Sequence, residues 1–211
     1  MIVTVIGTGD MGSALVQALA EHHAVNWVGR TRASAERRMH ELNLSGTVSA
    51  REHEDAFDAD VTILALWHRD LSAFTRAYGH LMAGKVIVDI ANPFTEDFED
   101  FDLPYDTSAA EELQKLVPLA RVVGAFKNTY VAALRDPHFH EGVSDVLVTG
   151  DDADAKATVL QLLAPLPFRV LDAGNLRNNR TIERMTLLAR EVGRRHHFSR
   201  RLSYRMLGQE A

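Results

Sequence analysis

Cysteine is absent from the 211-residue chain. That excludes disulfides, thiolate catalysis, zinc knuckles and cysteine-ligated iron–sulfur clusters. A basic excess is absent too. Lys and Arg number 23 against 29 Asp and Glu, a formal net charge of −6, whereas a general nucleic-acid binder needs a basic face for its phosphate contacts. No apolar run reaches the roughly 18 residues of a membrane span. Met1 leads straight into Ile2–Ile6, without the basic segment and cleavage site of an export signal. No G-x-S-x-G or other nucleophile motif is present. His138-x-His140 and His196-His197 suggest metal, but no carboxylate and histidine set of ligand spacing joins them, so no metal site is expected. What remains is an ordinary globular mix, 46% apolar and 25% charged, able to bury a sizeable core. The expectation is a soluble, cytoplasmic protein of one compact unit, with neither nucleic acid nor membrane as partner.

Apolar runs of strand length alternate with amphipathic stretches of helix length. The spacing predicts strands over Ile2–Ile6, Val25–Gly29, Val61–Leu66, Val86–Ile90, Val122–Phe126, Val146–Val148 and Phe168–Leu171. Several are apolar almost throughout, as strands buried on both faces of a parallel sheet are. Helices are expected over Ser13–Glu21, Ser34–Leu42 and about Ala153–Leu163, and an Arg-rich helical tail from about Asn178. This alternation predicts an α/β fold, a Rossmann-type doubly wound, mostly parallel sheet with a small C-terminal helical portion. Asn92–Asp106, with Pro93, Pro104 and many acids, reads as a loop whose acids face solvent. In Gly150-Asp151-Asp152 an Asp is placed to cap the next helix. The tail arginines read as a solvated face pairing with the acidic loops, the alternative being a basic rim for an anionic substrate or a partner subunit.

Gly7-Thr8-Gly9-Asp10-Met11-Gly12 fits G-x-G-x-x-G between a strand and a helix, the context that motif needs. In such a turn Gly7 permits the tight bend, Gly9 admits a pyrophosphate, and Gly12 allows helix and strand to pack closely. The helix N-terminus then offers N–H groups and a positive dipole to the phosphates. Where dinucleotide sites that read a free ribose 2′-hydroxyl place an acid, roughly 20 residues on, this chain has Gly29-Arg30-Thr31-Arg32. Guanidinium groups pair with a 2′-phosphate and Thr31 adds a hydroxyl donor, so NADP(H) is expected rather than NAD(H).

Ligands of open α/β sheets lie over the carboxyl ends of the strands. Three segments are expected there: Leu66-Trp67-His68, Ala91-Asn92-Pro93 and Phe126-Lys127-Asn128-Thr129-Tyr130. Each joins apolar or aromatic surface to a few polar groups, which suits a flat ring that must be stacked and oriented. His68 is a candidate proton donor, its alternative a half-exposed loop histidine. Asn128 or Thr129 is placed to bond a carboxamide. Lys127, one of few lysines, reads first as a solvated loop cation and second as a catalytic group.

These segments carry a resemblance. The chain resembles the NADP oxidoreductase family typified by coenzyme F420-dependent NADP reductase, which includes the cytosolic reductase domain of the six-transmembrane metalloreductases. The likeness rests on Ile6–Gly12, on Val28–Arg32, on Val86–Pro93 ending in Asn-Pro, on Ser108–Leu113, on Arg121–Thr129 and on Leu171–Asn178. It implies an NADP-binding core over about 1–150 and a portion over about 151–211 that closes the second substrate's pocket. It also implies a homodimer or higher homo-oligomer. The implied reaction is hydride transfer between nicotinamide and a stacked deazaflavin (coenzyme F420) or flavin, which needs proximity and parallel rings more than an acid–base residue. Two departures, Lys127 inserted between Phe126 and Asn128, and Trp67-His68, fall where the small-molecule acceptor would stack. Three other readings stand beside it: an NADPH-dependent reductase of a small C=N or C=O metabolite, for which His68 or Lys127 would supply the proton; a reductase of ferric complexes; and a non-catalytic NADPH-sensing module.

Overall fold

Runs of Val, Ile and Leu become strands here because residues shielded on both faces need no polar alternation. The computed structural model describes residues 1–199 and 201–208. The first half runs β1 (Ile2–Ile6), α1 (Asp10–Ala20), β2 (Ala24–Val28), α2 (Arg32–Glu41), β3 (Val48–Ala50), β4 (Val61–Leu64), α3 (His68–Tyr78) and β5 (Val86–Asp89). It continues through α4 (Ala109–Leu116), β6 (Arg121–Gly124), α5 (Val131–Arg135), β7 (His138–Phe139), β8 (Gly142–Val143), β9 (Asp145–Gly150), α6 (Ala153–Leu163), β10 (Arg169–Asp172) and α7 (Asn179–Arg195).

Eight strands form one sheet in the order β10-β9-β6-β5-β4-β1-β2-β3, and β7 and β8 make a small separate hairpin. Every pair in the large sheet is parallel except β6 with β9. The expected doubly wound, mostly parallel sheet is therefore present. The chain leaves β1 toward β2 and β3 and returns on its other side at β4, which puts the topological switch point at the carboxyl ends of β1 and β4. Because β9 is antiparallel, its first residue, Asp145, lies toward that same end.

The two faces bury separate cores. Val3, Val5, Val61, Ile63, Val86 and Val88 turn to α1 and α6, where Leu15, Leu19, Val159 and Leu162 cover them. Ile6, Val28, Leu64, Ile87 and Val122 turn to α3 and α4, met by Leu71 and Leu113. The α6 helix has the expected bounds, and the Asp152 carboxylate accepts from Ala155 N–H at 2.8 Å as its cap.

Three expectations need correction. The strand expected over Val122–Phe126 stops at Gly124, because Phe126 takes a left-handed φ of 56° that turns the chain inward. The α3, α4 and α5 helices, the β3 strand and the β7–β8 hairpin lie where no element was expected; α4 is capped by Ser108, whose hydroxyl accepts from Glu111 N–H at 3.2 Å. The Asn92–Asp106 stretch is a loop, but not a freely solvated one. Phe94 bridges to Phe101, and Glu99 accepts from Arg190 and Arg194 at 2.7 Å. Arg184 of α7 lies 3.7 Å over the Tyr105 ring and donates to Leu103 C=O at 2.8 Å. Thus the arginine face of α7 pairs with the acidic loop. Among the described residues no helix is long and apolar enough to cross a membrane.

Candidate cofactor and substrate site

The glycine turn closes β1 against its neighbours through contacts only hydrogen atoms permit. Gly7 has φ +122°, and a Cβ there would lie 2.2 Å from the Ala65 carbonyl oxygen. A Cβ on Gly12 would lie 2.1 Å from the Gly7 carbonyl oxygen, so α1 sits directly on the turn. Gly9 is different: a Cβ would meet nothing within 4 Å. The space in front of the first turn of α1 is therefore open. Thr8 is half-buried, Asp10 exposed and Met11 half-buried at the rim. Trp27, fully buried on β2, holds the turn from below by donating from Nε1 to the Gly7 carbonyl at 2.9 Å.

At the end of β2, Thr31 caps α2 in a reciprocal box: its hydroxyl accepts from Ser34 N–H while the Ser34 hydroxyl accepts from Thr31 N–H, both at 3.2 Å. Gly29 is required by that box, since a Cβ there would lie 2.3 Å from the Ser34 hydroxyl oxygen. The cap leaves Arg30, Thr31 and Arg32 exposed around the helix N-terminus. Arg32 touches Glu36 at 2.9 Å across one helical turn, both half exposed. Such a pair contributes little and yields readily to a stronger anion.

The adjacency of β4, β5 and β6 brings the three expected segments side by side. Asn92 donates from Nδ2 to the Lys127 carbonyl at 2.9 Å, joining the second segment to the third. Asn92 Oδ1 and Thr129 Oγ1 are buried with no hydrogen-bond partner. Asn128 is not free: buried, it donates to Asp145 C=O at 2.9 Å and faces Leu147 N–H, so its amide ties the segment to β9. Of the two expected carboxamide partners, Asn128 and Thr129, only Thr129 has a buried side-chain oxygen without a partner. Leu66 is half-buried, and Pro93 and Phe126 are buried. Trp67 is half exposed, meets Phe98 edge-on at 5.7 Å, and has Arg69 5.2 Å above its ring. His68 opens α3 and lines a cleft of about 250 Å³ between α3 and α4. Burial lowers its pKa below the ordinary histidine value, against the opposing pull of Asp89. Its Nδ1 is buried without a partner.

Lys127 departs most from expectation. It is fully buried, not solvated. Its ammonium donates to Asp89 at 2.6 Å, to Glu183 of α7 at 3.0 Å and to the Ala91 carbonyl. Burial disfavours the charged form, but Asp89 and Glu183 more than offset it, and the Lys127 pKa lies above its ordinary value. Enclosed in this way, the Lys127 ammonium is paired and shielded from solvent. The left-handed turn at Phe126 carries the side chain inward.

Similarity to known proteins follows the same line as the geometry. A family model described as "NADP oxidoreductase coenzyme F420-dependent" matches residues 2–93. The F420-dependent NADP reductase of Methanocaldococcus jannaschii is 30% identical over 195 residues, which cover 86% of this chain and 87% of that protein. The chain belongs to the coenzyme F420-dependent NADP oxidoreductase family. Rat metalloreductase STEAP3 is 31% identical over 136 residues, 64% of this chain but 27% of that larger protein. Among solved structures, a candidate F420-dependent NADP reductase from Arthrobacter sp. FB24 superposes with a TM-score of 0.81 at 25% identity, covering 96% of this chain and 99% of that one.

For a member of this family the residues present fit a dinucleotide. The open space at Gly9 admits a pyrophosphate, and the two unspent atoms, Asn92 Oδ1 and Thr129 Oγ1, offer an acceptor and a hydroxyl to a carboxamide. Sequence reasoning missed Trp27, Asp89, Glu183 and, on α7, Thr186, whose hydroxyl accepts from Asn92 Nδ2 at 3.5 Å. An acid inside the apolar run Val86–Ile90 was the available signal, since a buried carboxylate calls for a cation. Glu183 carries no comparable mark in the sequence.

Proposed function

We propose that the chain is an NADP(H)-dependent oxidoreductase that transfers a hydride between the nicotinamide and a stacked deazaflavin, coenzyme F420, or a flavin. The observation that carries this reading is the unspent pair Asn92 Oδ1 and Thr129 Oγ1 at the strand ends, in line with an open glycine turn. Gly7, Thr8, Gly9, Asp10, Met11 and Gly12 cradle the pyrophosphate, and Arg30, Thr31 and Arg32 take the 2′-phosphate. Leu66, Trp67, His68, Asn92, Pro93, Phe126 and Thr129 surround the ring, with Asn128 bracing the last segment from behind. When bound, the nicotinamide supplies hydride chemistry; the chain positions it and keeps water from the transfer. The half-exposed Trp67–Phe98 lip offers aromatic surface to a planar acceptor. From the C-terminal portion, α7 backs the pocket, with Glu183 and Thr186 beneath its floor. The reading includes a cytoplasmic homodimer, for which Leu188 and Val192 on α7 leave apolar surface exposed.

The deciding experiment mixes the protein anaerobically with NADPH and oxidised F420 and follows the visible absorbance of the deazaflavin, with FMN and NADH in parallel. Balanced turnover consumes one NADPH, one proton and one F420. Bleaching with NADPH and not NADH is expected. Cofactor binding without bleaching of F420 or FMN overturns the acceptor. His68, with its unpartnered Nδ1, then favours a C=N or C=O substrate that needs a proton.

The ribose end makes a separate prediction. Replacing Arg30 and Arg32 together with Ala is expected to weaken NADPH about 100-fold, the loss of two charge-assisted contacts, and to leave NADH unchanged. Titration of both nucleotides checks it. An unchanged ratio places the 2′-phosphate elsewhere.

A further inference from the structure

The loop between β5 and α4 folds back on itself at its tip, Thr95–Phe101. Thr95 N–H donates to the Asp100 carbonyl at 2.9 Å, and Phe98 N–H to the Thr95 carbonyl at 3.0 Å. The Thr95 hydroxyl donates to the Asp97 carboxylate at 2.6 Å and accepts from Asp100 N–H at 3.1 Å. At the apex Phe98 takes a left-handed φ of 61°. That conformation favours glycine and is an outlier for a bulky side chain. Such strain persists only where the surroundings fix it.

The strained residue does not turn its ring into the core. Phe98 is 38% exposed and Trp67, after β4, is 50% exposed. The Phe98 ring lies 5.6 Å from that of Phe94 and meets Trp67 edge-on at 5.7 Å. Glu99, the next residue, ties the turn to α7. Its carboxylate accepts from both terminal nitrogens of Arg194, at 3.2 and 2.7 Å, and from Arg190 at 2.7 Å. A paired fork reinforced by a second guanidinium is the geometry in which an exposed ion pair holds. The two arginines stand one turn apart on a helix anchored by buried Ile182, Glu183 and Thr186. Arg184 of the same helix grips the loop again, donating to Leu103 C=O and lying 5.4 Å from the centre of the Phe101 ring.

We propose that Phe98 is a specificity-determining residue for the planar hydride acceptor, and that Glu99 with Arg190 and Arg194 is the clamp that positions it against Trp67. The inference rests on the oxidoreductase reading above. Phe98 gives the acceptor an aromatic face. The clamp touches no ligand and acts through Phe98. Without it the turn relaxes and Trp67 loses its cover.

The test has one readout without ligand and one with turnover. The chain has two tryptophans, Trp67 and the fully buried Trp27, so acrylamide quenching of the emission reads Trp67. Glu99→Gln should increase that quenching, and so should high salt on the wild type, because salt screens exposed pairs. With NADPH as donor, Glu99→Gln should raise the KM for oxidised F420 about fivefold, with kcat and the NADPH Kd within about twofold of wild type. Arg190→Gln with Arg194→Gln should do the same, and adding Glu99→Gln to that pair should change nothing further, since one clamp is lost only once. Phe98→Ala and Phe98→Gly should each raise the acceptor KM about tenfold. Glycine relieves the left-handed backbone and alanine does not, so equal losses assign the effect to the ring. A KM raised by alanine and not by glycine assigns it to the turn and overturns the proposal. Unmoved quenching in Glu99→Gln overturns the clamp, and an unmoved acceptor KM in Phe98→Ala overturns the role in specificity. If the wild type reduces neither F420 nor FMN, the acceptor reading itself falls, and quenching still decides the clamp.

Discussion

Lys127→Met is expected to lower the unfolding midpoint by about 10 °C, the largest single effect on stability we expect at the site. Breaking a buried ion pair by removing one partner costs about 3–5 kcal/mol, because the other charge stays buried and uncompensated. Here two carboxylates are left, Asp89 and Glu183, facing one another with the cation gone. For a chain of this length each kcal/mol corresponds to roughly 2–4 °C. By contrast, Arg32→Ala breaks an exposed pair and should shift the midpoint by less than about 1 °C. The pH dependence has a defined sign. Burial already holds the Glu183 pKa above its ordinary value, against Lys127, and without Lys127 it rises further. A carboxyl whose folded pKa exceeds its unfolded one contributes most below the unfolded value and loses that contribution as pH rises through the folded value. The variant should therefore recover stability relative to wild type as pH falls below neutrality. Thermal unfolding of both proteins across acidic to neutral pH checks both points. A shift below about 2 °C with no recovery in acid would mean that the cluster does not hold the fold together.

The cluster also marks where the sequence stops being legible. Strand positions follow from apolar runs because both faces of a parallel sheet are dry, and the glycine turn follows from its spacing. The α6 helix was readable to its ends, since Asp152 supplies a local cap. These features depend on residues close in sequence. The α3 helix has no capping side chain at its start, where Trp67 is the first flanking residue, so nothing local announced it. Lys127, Asp89 and Glu183 come from three distant segments, and their meeting depends on the order of β5 and β6 and on the return of α7. Local residue type pointed the wrong way for Lys127, because a lysine after a strand is ordinarily solvated. One non-glycine residue with φ 56°, Phe126, reverses that expectation. Asn128 shows the same limit: an amide in the right segment is consumed by β9, a strand that reaches it only because β9 runs antiparallel to β6.

Substitutions at two glycines of the same turn should separate binding from folding. Gly9→Ala is expected to leave the unfolding midpoint unchanged or slightly raised and to weaken NADP(H) binding by about 100-fold, close to 2.7 kcal/mol. Gly9 has φ −72° and ψ −173°, extended backbone that alanine adopts freely, and its Cβ would touch nothing. An alanine there even loses less chain entropy on folding, worth about 0.4–1 kcal/mol. What the methyl group takes away is the close approach of a pyrophosphate to the first turn of α1. Gly12→Ala reverses the pattern. Its Cβ would lie 2.1 Å from the Gly7 carbonyl oxygen, so α1 must move off the turn. Trp27, which donates to that same carbonyl, resists the move. A loss of about 1–3 kcal/mol is expected from overpacking alone, together with loss of binding, because the helix N-terminus leaves its place. Calorimetric titration with NADPH beside a thermal melt reads both variants. If Gly9→Ala binds as wild type does, the open space before α1 is not where the phosphates lie, and the cradle must be sought elsewhere on the strand ends. If Gly12→Ala melts as wild type does, α1 can shift without cost, and the tight contact between helix and turn contributes neither to stability nor to the placement of the helix dipole.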